Sequence, residues 1–197
     1  MKEKKEKKTK KDKKKEVKEE KPLSKTIENR IKALENNFDE EIQDLYKALN
    51  ITKVNGDKSI EVTGDVNFSG LGLKKIPFSF RKIIGDFDFS DNELESLEGC
   101  PEVVIGSAYF NNNKLTSLKH SPEKVSGLFD CSNNQLINLK GGPLKVECSF
   151  FCESNKLESL DGIPKLIGED FIATENPTVF VKKEVKGLSK IKGEIFV

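Results

Sequence analysis

The side chains able to do chemistry are few. The 197-residue chain holds a single His, His120, and four Cys, at 100, 131, 148 and 152. Any Ser/His or Cys/His hydrolase would have to be built around that one imidazole. His120 is followed directly by Ser121 and Pro122; adjacency in sequence is not a triad geometry, and no carboxylate is placed to orient the ring. It reads as a surface His. Cys100, before Pro101, reads as the most exposed thiol, yet it has no flanking base to activate it as a nucleophile. Cys131, Cys148 and Cys152 are expected to share one facing, but no fourth ligand accompanies them and they read as core. Four Cys are too few for a disulfide scaffold, which favours a reducing compartment. No Gly-x-Gly-x-x-Gly or Walker-type loop occurs. The expectation is a chain with no catalytic residues, no metal and no cofactor.

What positions these residues is a repeat. Asn92, Asn113, Asn134, Asn155 and Asn176 are spaced at 21 without a slip. Leu94, Leu115, Leu136 and Leu157 follow by two residues, and Leu97, Leu118, Leu139 and Leu160 by five. Pro101, Pro122, Pro143 and Pro164 share the period, as do Gly64, Gly85, Gly106 and Gly127. A further apolar row is Ile83, Val104, Val125, Val146, Ile167 and Leu188. Two more rows precede each Asn: Val66, Phe87, Ala108, Phe129, Phe150, Phe171, and Phe68, Phe89, Phe110, Cys131, Cys152, Ala173. Their alternation, as in Phe87-Asp88-Phe89, predicts a short strand per unit with both apolar side chains facing one way. The Asn falls where the chain turns off the strand. Its amide is expected to bond backbone groups left open there, including those of the next coil, so that stacked Asn form a ladder. A period this short cannot hold a helix pair and predicts a solenoid whose units fold only as a stack.

Segments such as GDFDFSDNELESLEGCP, LFDCSNNQLINLKGGP and SFFCESNKLESLDGIP resemble the short leucine-rich repeats of bacterial proteins and tailed-phage gene products. The resemblance covers residues 64–177. It implies a curved leucine-rich-repeat solenoid, with short parallel strands on a concave face and an irregular convex side, that binds a protein partner. The pattern breaks at both ends. Leu71 replaces the first Asn, and after Pro177 the Leu pair is lost and three residues are added before Gly193. That end predicts a closing unit with a short helix near 179–186 and a last strand at 195–197.

Residues 1–21 hold 12 Lys against 6 acids, a charge of +6; the remaining 176 residues carry 22 basic and 27 acidic side chains, or −5. The only large apolar residues of the tail are Met1 and Val17, which predicts a solvated, disordered tail. From Ser24, a helix N-cap, Ile27, Ile31, Leu34, Phe38, Ile42, Leu45 and Leu49 form one apolar stripe. The stripe predicts an amphipathic helix over 22–50 that caps the solenoid, with a coiled coil as the alternative. Asn55-Gly56-Asp57 predicts a turn, and Ile60 and Val62 the start of a strand. The solenoid then occupies 51–197.

Among the positions expected to face the concave surface there are eight acids and no Lys or Arg: Asp65, Asp86, Asp88, Asp91, Asp130, Glu153, Asp170 and Glu175. Tyr109, Leu128, Phe151 and Ile172 form an apolar diagonal among them, beside Asn111. The lysines at 74, 75, 114, 119, 140, 145, 156 and 165 are placed on the returning side. Asp is disfavoured in strands and stacked like charges repel, so acids held in rows suggest a use. The expected function is recognition of a protein with a basic surface, in the cytoplasm of a bacterium or phage-infected cell. Two alternatives stand beside it: a structural component, for instance of a virion, assembling through helix 24–50, and a nucleic-acid-associated protein using the Lys tail. No apolar run approaches the ~18 residues of a membrane span. Oligomeric state is not legible.

Overall fold

The computed structural model describes residues 40–197. The Lys tail and helix 24–50 upstream of Glu40 lie outside them. Helix α1 (Glu40–Ala48) runs into a hairpin of β1 (Ile51–Val54) and β2 (Ile60–Thr63), in which Ile51 stands opposite Val62. The Asn55–Ser59 turn is held by Asp57, whose Oδ1 accepts from the Ser59 N–H (3.1 Å) and hydroxyl (2.6 Å).

The chain then winds in coils of 21 residues, each giving one strand to each of two sheets. The eight-stranded sheet takes β1, β2, β4 (Phe80–Ile84), β6 (Val103–Ile105), β8 (Lys124–Val125), β10 (Lys145–Val146), β12 (Leu166–Ile167) and β14 (Lys190–Ile191). The seven-stranded sheet takes β3 (Val66–Asn67), β5 (Phe87–Asp88), β7 (Ala108–Tyr109), β9 (Phe129–Asp130), β11 (Phe150–Phe151), β13 (Phe171–Ile172) and β15 (Ile195–Phe196). Every pairing after the hairpin is parallel, with equivalent residues side by side. The molecule is a β-solenoid of about seven turns. The side expected to be irregular carries a sheet of its own. The row Ile83, Val104, Val125, Val146, Ile167 puts one buried side chain per coil inward from it, which is enough to hold an extended segment against the core.

Three stretches of each coil fill the interior: that row, the two rows of the seven-stranded sheet, and the returning Leu pairs, all buried. The rings stack along the axis. Phe129 and Phe150 lie 5.3 Å apart and nearly parallel, as do Phe68 and Phe89 at 5.2 Å. Where the first row drops to Ala108, Phe110 of the second row bridges Phe87 (6.0 Å) and Phe129 (5.7 Å). Where the first row holds Phe129, Phe150 and Phe171, the second shrinks to Cys131, Cys152 and Ala173, all buried. From Ala108 onward each layer thus pairs one ring with one small side chain, while the coil of Phe87 and Phe89 holds a ring in both rows.

Two sharp features set the coil outline. At Gly106 a Cβ would lie 2.2 Å from the Gly85 carbonyl oxygen, so adjacent corners approach too closely for any side chain. Before each ladder Asn the chain enters the left-handed region: Asp91, Asn112, Asn133, Ser154 and Glu175 all have φ between 52° and 59°, and Gly70 does so in the first coil.

The ends differ from the expectation in detail. At the start, Tyr46 is, among the described side chains of α1, the one that enters the core, 4.4 Å from Phe78, while Leu45 and Leu49 of the apolar stripe are only half-buried. At the other end, α2 (Lys182–Leu188) seats Val185 in the core. The three added residues shift the register, so that Leu166 pairs with Lys190 and Ile167 with Ile191. Leu188, expected in the apolar row, is 57% exposed, and Ile191 takes its place. No helix among the described residues is long and apolar enough to cross a membrane.

Candidate functional site

The outward face of the seven-stranded sheet collects the acids and the apolar diagonal into four rows, each with its own bonding. At the corner row, Asp65 Oδ1 accepts from the Asp86 N–H (2.8 Å) and Asp86 Oδ1 from the Ser107 N–H (2.7 Å). Ser107 Oγ then accepts from Leu128 N (3.2 Å), Ser149 Oγ from Asp170 N (3.2 Å), and Asp170 Oδ1 from Glu194 N (2.7 Å). Asp86 and Asp170, expected only to meet a partner, therefore also tie each coil to the next. Leu128 is half-buried at this corner.

The strand row reads Asn67, Asp88, Tyr109, Asp130, Phe151, Ile172 and Phe196. Asp88 Oδ1 accepts from the N–H (2.9 Å) and hydroxyl (2.7 Å) of Ser90, and Asp130 does the same with Ser132 (2.9 and 2.6 Å). Such Asx turns hold the chain as it leaves the strand. The third row, Ser69, Ser90, Asn111, Ser132, Glu153 and Thr174, leans inward; Ser90 and Ser132 are buried. The last is the left-handed row, where Asp91 accepts from Asn112 Nδ2 (2.8 Å) and Glu175 from the Ser154 hydroxyl.

Beneath this face runs the Asn ladder. Asn134 Nδ2 donates to Phe110 O of the preceding coil (2.9 Å) and to Ser132 O (3.0 Å), while its Oδ1 accepts from Leu115 N (2.9 Å). Asn92, Asn113, Asn155 and Asn176 repeat the arrangement. The cross-coil bonds run to the preceding coil, the reverse of the expected direction, because the Asn follows the strand and its amide reaches back beneath it.

Electrostatically the face is one-sided. No ion pair among the described residues involves any of its eight acids; the pairs formed, such as Lys114–Glu93 (3.0 Å), Lys140–Asp161 (3.1 Å) and Lys145–Glu147 (2.7 Å), lie elsewhere. Lys145, expected on the returning side, belongs to the eight-stranded sheet, whose outer row also carries Lys82, Lys124 and Lys190. Burial pushes the Asp130 carboxyl above its ordinary value, against the lowering effect of its bonds to Ser132. Glu153 is pushed up by burial first, then by Asp130 and Glu175 beside it. Its Oε2 is buried and has no hydrogen-bond partner among the described residues. Six of the other seven acids accept a bond at one carboxylate oxygen from a neighbouring coil or turn within the face, and Glu175 accepts from Ser154; among the eight, only Glu153 has a buried oxygen without a partner among the described residues.

Comparison of the chain with protein-family models, with curated proteins and with solved structures finds no match to any of the three. A function is therefore assigned from the geometry and charge of the face itself. Phe196 belongs to it as well: it pairs with Ile172, is 47% exposed, and extends Phe151 and Ile172 into a continuous apolar strip. The sequence contains the signal, since Ile195-Phe196 matches Phe171-Ile172 once the three added residues are allowed for.

The remaining reactive side chains sit apart from this face. Cys131 and Cys152 are buried, and their thiols contact the Phe151 and Ile172 carbonyl oxygens of the next coil (3.3 and 3.4 Å). Cys148 does not share their facing: it is half-buried at the coil corner, in the row of Gly127. Cys100, expected to be exposed, packs against the core. Burial raises all four thiols above the usual range, which disfavours the thiolate. His120 is exposed with φ 70°. A cleft of about 470 Å³ opens beside the hairpin, but Asp57 and Glu98 face Lys58 and Lys75 across it, a lining with no net sign.

Proposed function

We propose that this protein is a non-enzymatic recognition module that holds an extended, lysine- or arginine-rich segment of a partner protein on the outward face of the seven-stranded sheet. One observation carries the reading. Eight carboxylates that form no ion pair among the described residues share a regular surface with the apolar strip Phe151–Ile172–Phe196 and Tyr109. Strands in register present equivalent side chains in rows about 4.8 Å apart, so an extended peptide laid across them, at ~3.3 Å per residue, passes several rows along its length. Acids attract the basic groups and speed encounter, while the strip supplies the burial that gives affinity. Glu153, with Asp130 and Glu175 beside it, concentrates the negative charge of the face next to the strip. The raised thiols support a role without covalent chemistry.

The 21-residue spacing and the Asn ladder support reading the coils as short leucine-rich repeats of the bacterial or tailed-phage type, acting inside the cell. The test is a titration of a lysine-rich peptide followed by amide chemical shifts. Asp88, Tyr109, Asp130, Phe151 and Ile172 should move, and Lys124 and Lys145 should not. Shifts spread evenly over both sheets would contradict the proposal.

A further inference from the structure

The same face has a candidate occupant within the chain. We infer that residues 1–21 are a resident, displaceable ligand of the acidic face, held there intramolecularly. The inference rests on the recognition reading above and adds regulation to it. Charge complementarity is the first support. The tail carries +6 and its positive side chains are all Lys, while the face carries eight acids in no ion pair among the described residues. Among those residues no other surface combines such acids with an apolar strip on which lysine methylenes could lie.

Reach is the second. Asp44 and Leu45 of α1 line a shallow pocket with Asn67, Ser69 and Leu71, so the chain enters the fold beside the first strand of this face. From β3 to β11 is four strand spacings, ~19 Å. The tail, fully extended, spans ~70 Å at ~3.3 Å per residue. Residues 22–39 would displace its origin by at most ~27 Å if helical. With a displacement of that size in any direction, the length of the tail still covers the distance to Glu153. A tether of this length gives an effective concentration in the millimolar range, so a contact of weak intrinsic affinity is populated yet yields to a better basic partner.

The test uses the full-length chain and a full-length variant with Lys10, Lys11, Lys13, Lys14 and Lys15 changed to Gln. At ~20 mM salt the amides of Asp88, Tyr109, Asp130, Phe151 and Ile172 should differ between the two, and at ~0.5 M salt they should converge, because screening is then strong. The low-salt difference should survive tenfold dilution and vanish in an Asp130→Asn/Glu153→Gln background. The variant should bind a free lysine-rich peptide about tenfold more tightly than the native chain, since its tail, with 7 Lys left against 6 acids, keeps a charge of only +1 and competes weakly. Identical shifts at low salt, differences confined to residues 43–50 and 67–71, or differences that grow with concentration as for a second copy's tail, each overturn the inference. If the free peptide still moves the face under those outcomes, the recognition reading stands without the tail; if it does not, both fall.

Discussion

Asn134 is a residue at which one side chain keeps two coils paired. Its amide serves Phe110 O and Leu115 N of the preceding coil and Ser132 O of its own. Asn134→Ala leaves these groups without partners in a buried site, and a loss of ~1–3 kcal/mol is expected from thermal or denaturant unfolding. The natural comparison is its exposed neighbour Asn133, but that residue sits at φ 54°, where an Ala Cβ costs ~1–2 kcal/mol of its own. Asn133→Gly removes the side chain without that strain and should be close to neutral. Glu153 gives a prediction of the opposite sign. Its raised value means that the native state holds the proton more tightly than the unfolded chain does. Stability from this group therefore increases as pH falls through the raised value and is least once the carboxyl is ionised in both states. Glu153→Gln should raise the melting temperature at neutral pH by a few degrees, for about 1 kcal/mol. The gain should shrink as the pH is lowered into the carboxylate range. A variant that melts lower at neutral pH would show that the carboxylate is satisfied where it lies.

At the scale of elements, the ends decide whether the stack is sealed. Tyr46 of α1 closes the first coil against Phe78. Tyr46→Ala should cost ~3–5 kcal/mol by opening a cavity there, and hydrogen exchange should quicken first in β1 to β5. Unchanged protection in those strands would mean that α1 does not seal them. The coil corners offer a second test: Gly106→Ala drives a Cβ onto the Gly85 carbonyl and should destabilise the stack by more than the ~1 kcal/mol of an ordinary Gly-to-Ala strain. The elements also show what the sequence can and cannot convey. Rows at a fixed period locate the strands of the seven-stranded sheet, because burial of Phe87, Phe129 and Phe150 demands identical spacing in every coil. The eight-stranded sheet is harder to see. From β6 onward each of its strands offers one fully inward residue, and a single apolar position has no alternation to mark a strand. Tyr46 lies four residues after Ile42 and three before Leu49, at the edge of the same apolar face; periodicity marks that face, and the end of the solenoid selects which of its side chains enters the core. The bonding of Asp86, Asp88 and Asp130 is also hidden, since an acid that caps a backbone N–H and an acid that awaits a partner look alike in sequence.

Over the whole molecule, charge is sorted by side. The seven-stranded face holds the acids that form no ion pair among the described residues, the eight-stranded face a row with Lys82, Lys124, Lys145 and Lys190, and the tail is the most basic segment. Most of the acids also serve the coils, which explains their presence without explaining why no cation accompanies them. An uncompensated face of one sign repels itself, and a basic occupant relieves that repulsion. Asp→Asn changes at 88 and 130 retain the Oδ1 that accepts from Ser90 and Ser132, so charge can be removed while the turns are kept. The most direct measurement is calorimetric titration of one extended lysine-rich peptide into the native chain and into an Asp88→Asn/Asp130→Asn/Glu153→Gln variant at equal salt. Three partly exposed charge contacts at ~0.5 kcal/mol each amount to about tenfold in affinity. The account predicts that loss in the triple variant, and no change in a Lys124→Gln/Lys145→Gln control. Equal affinity for the native chain and the triple variant would contradict it.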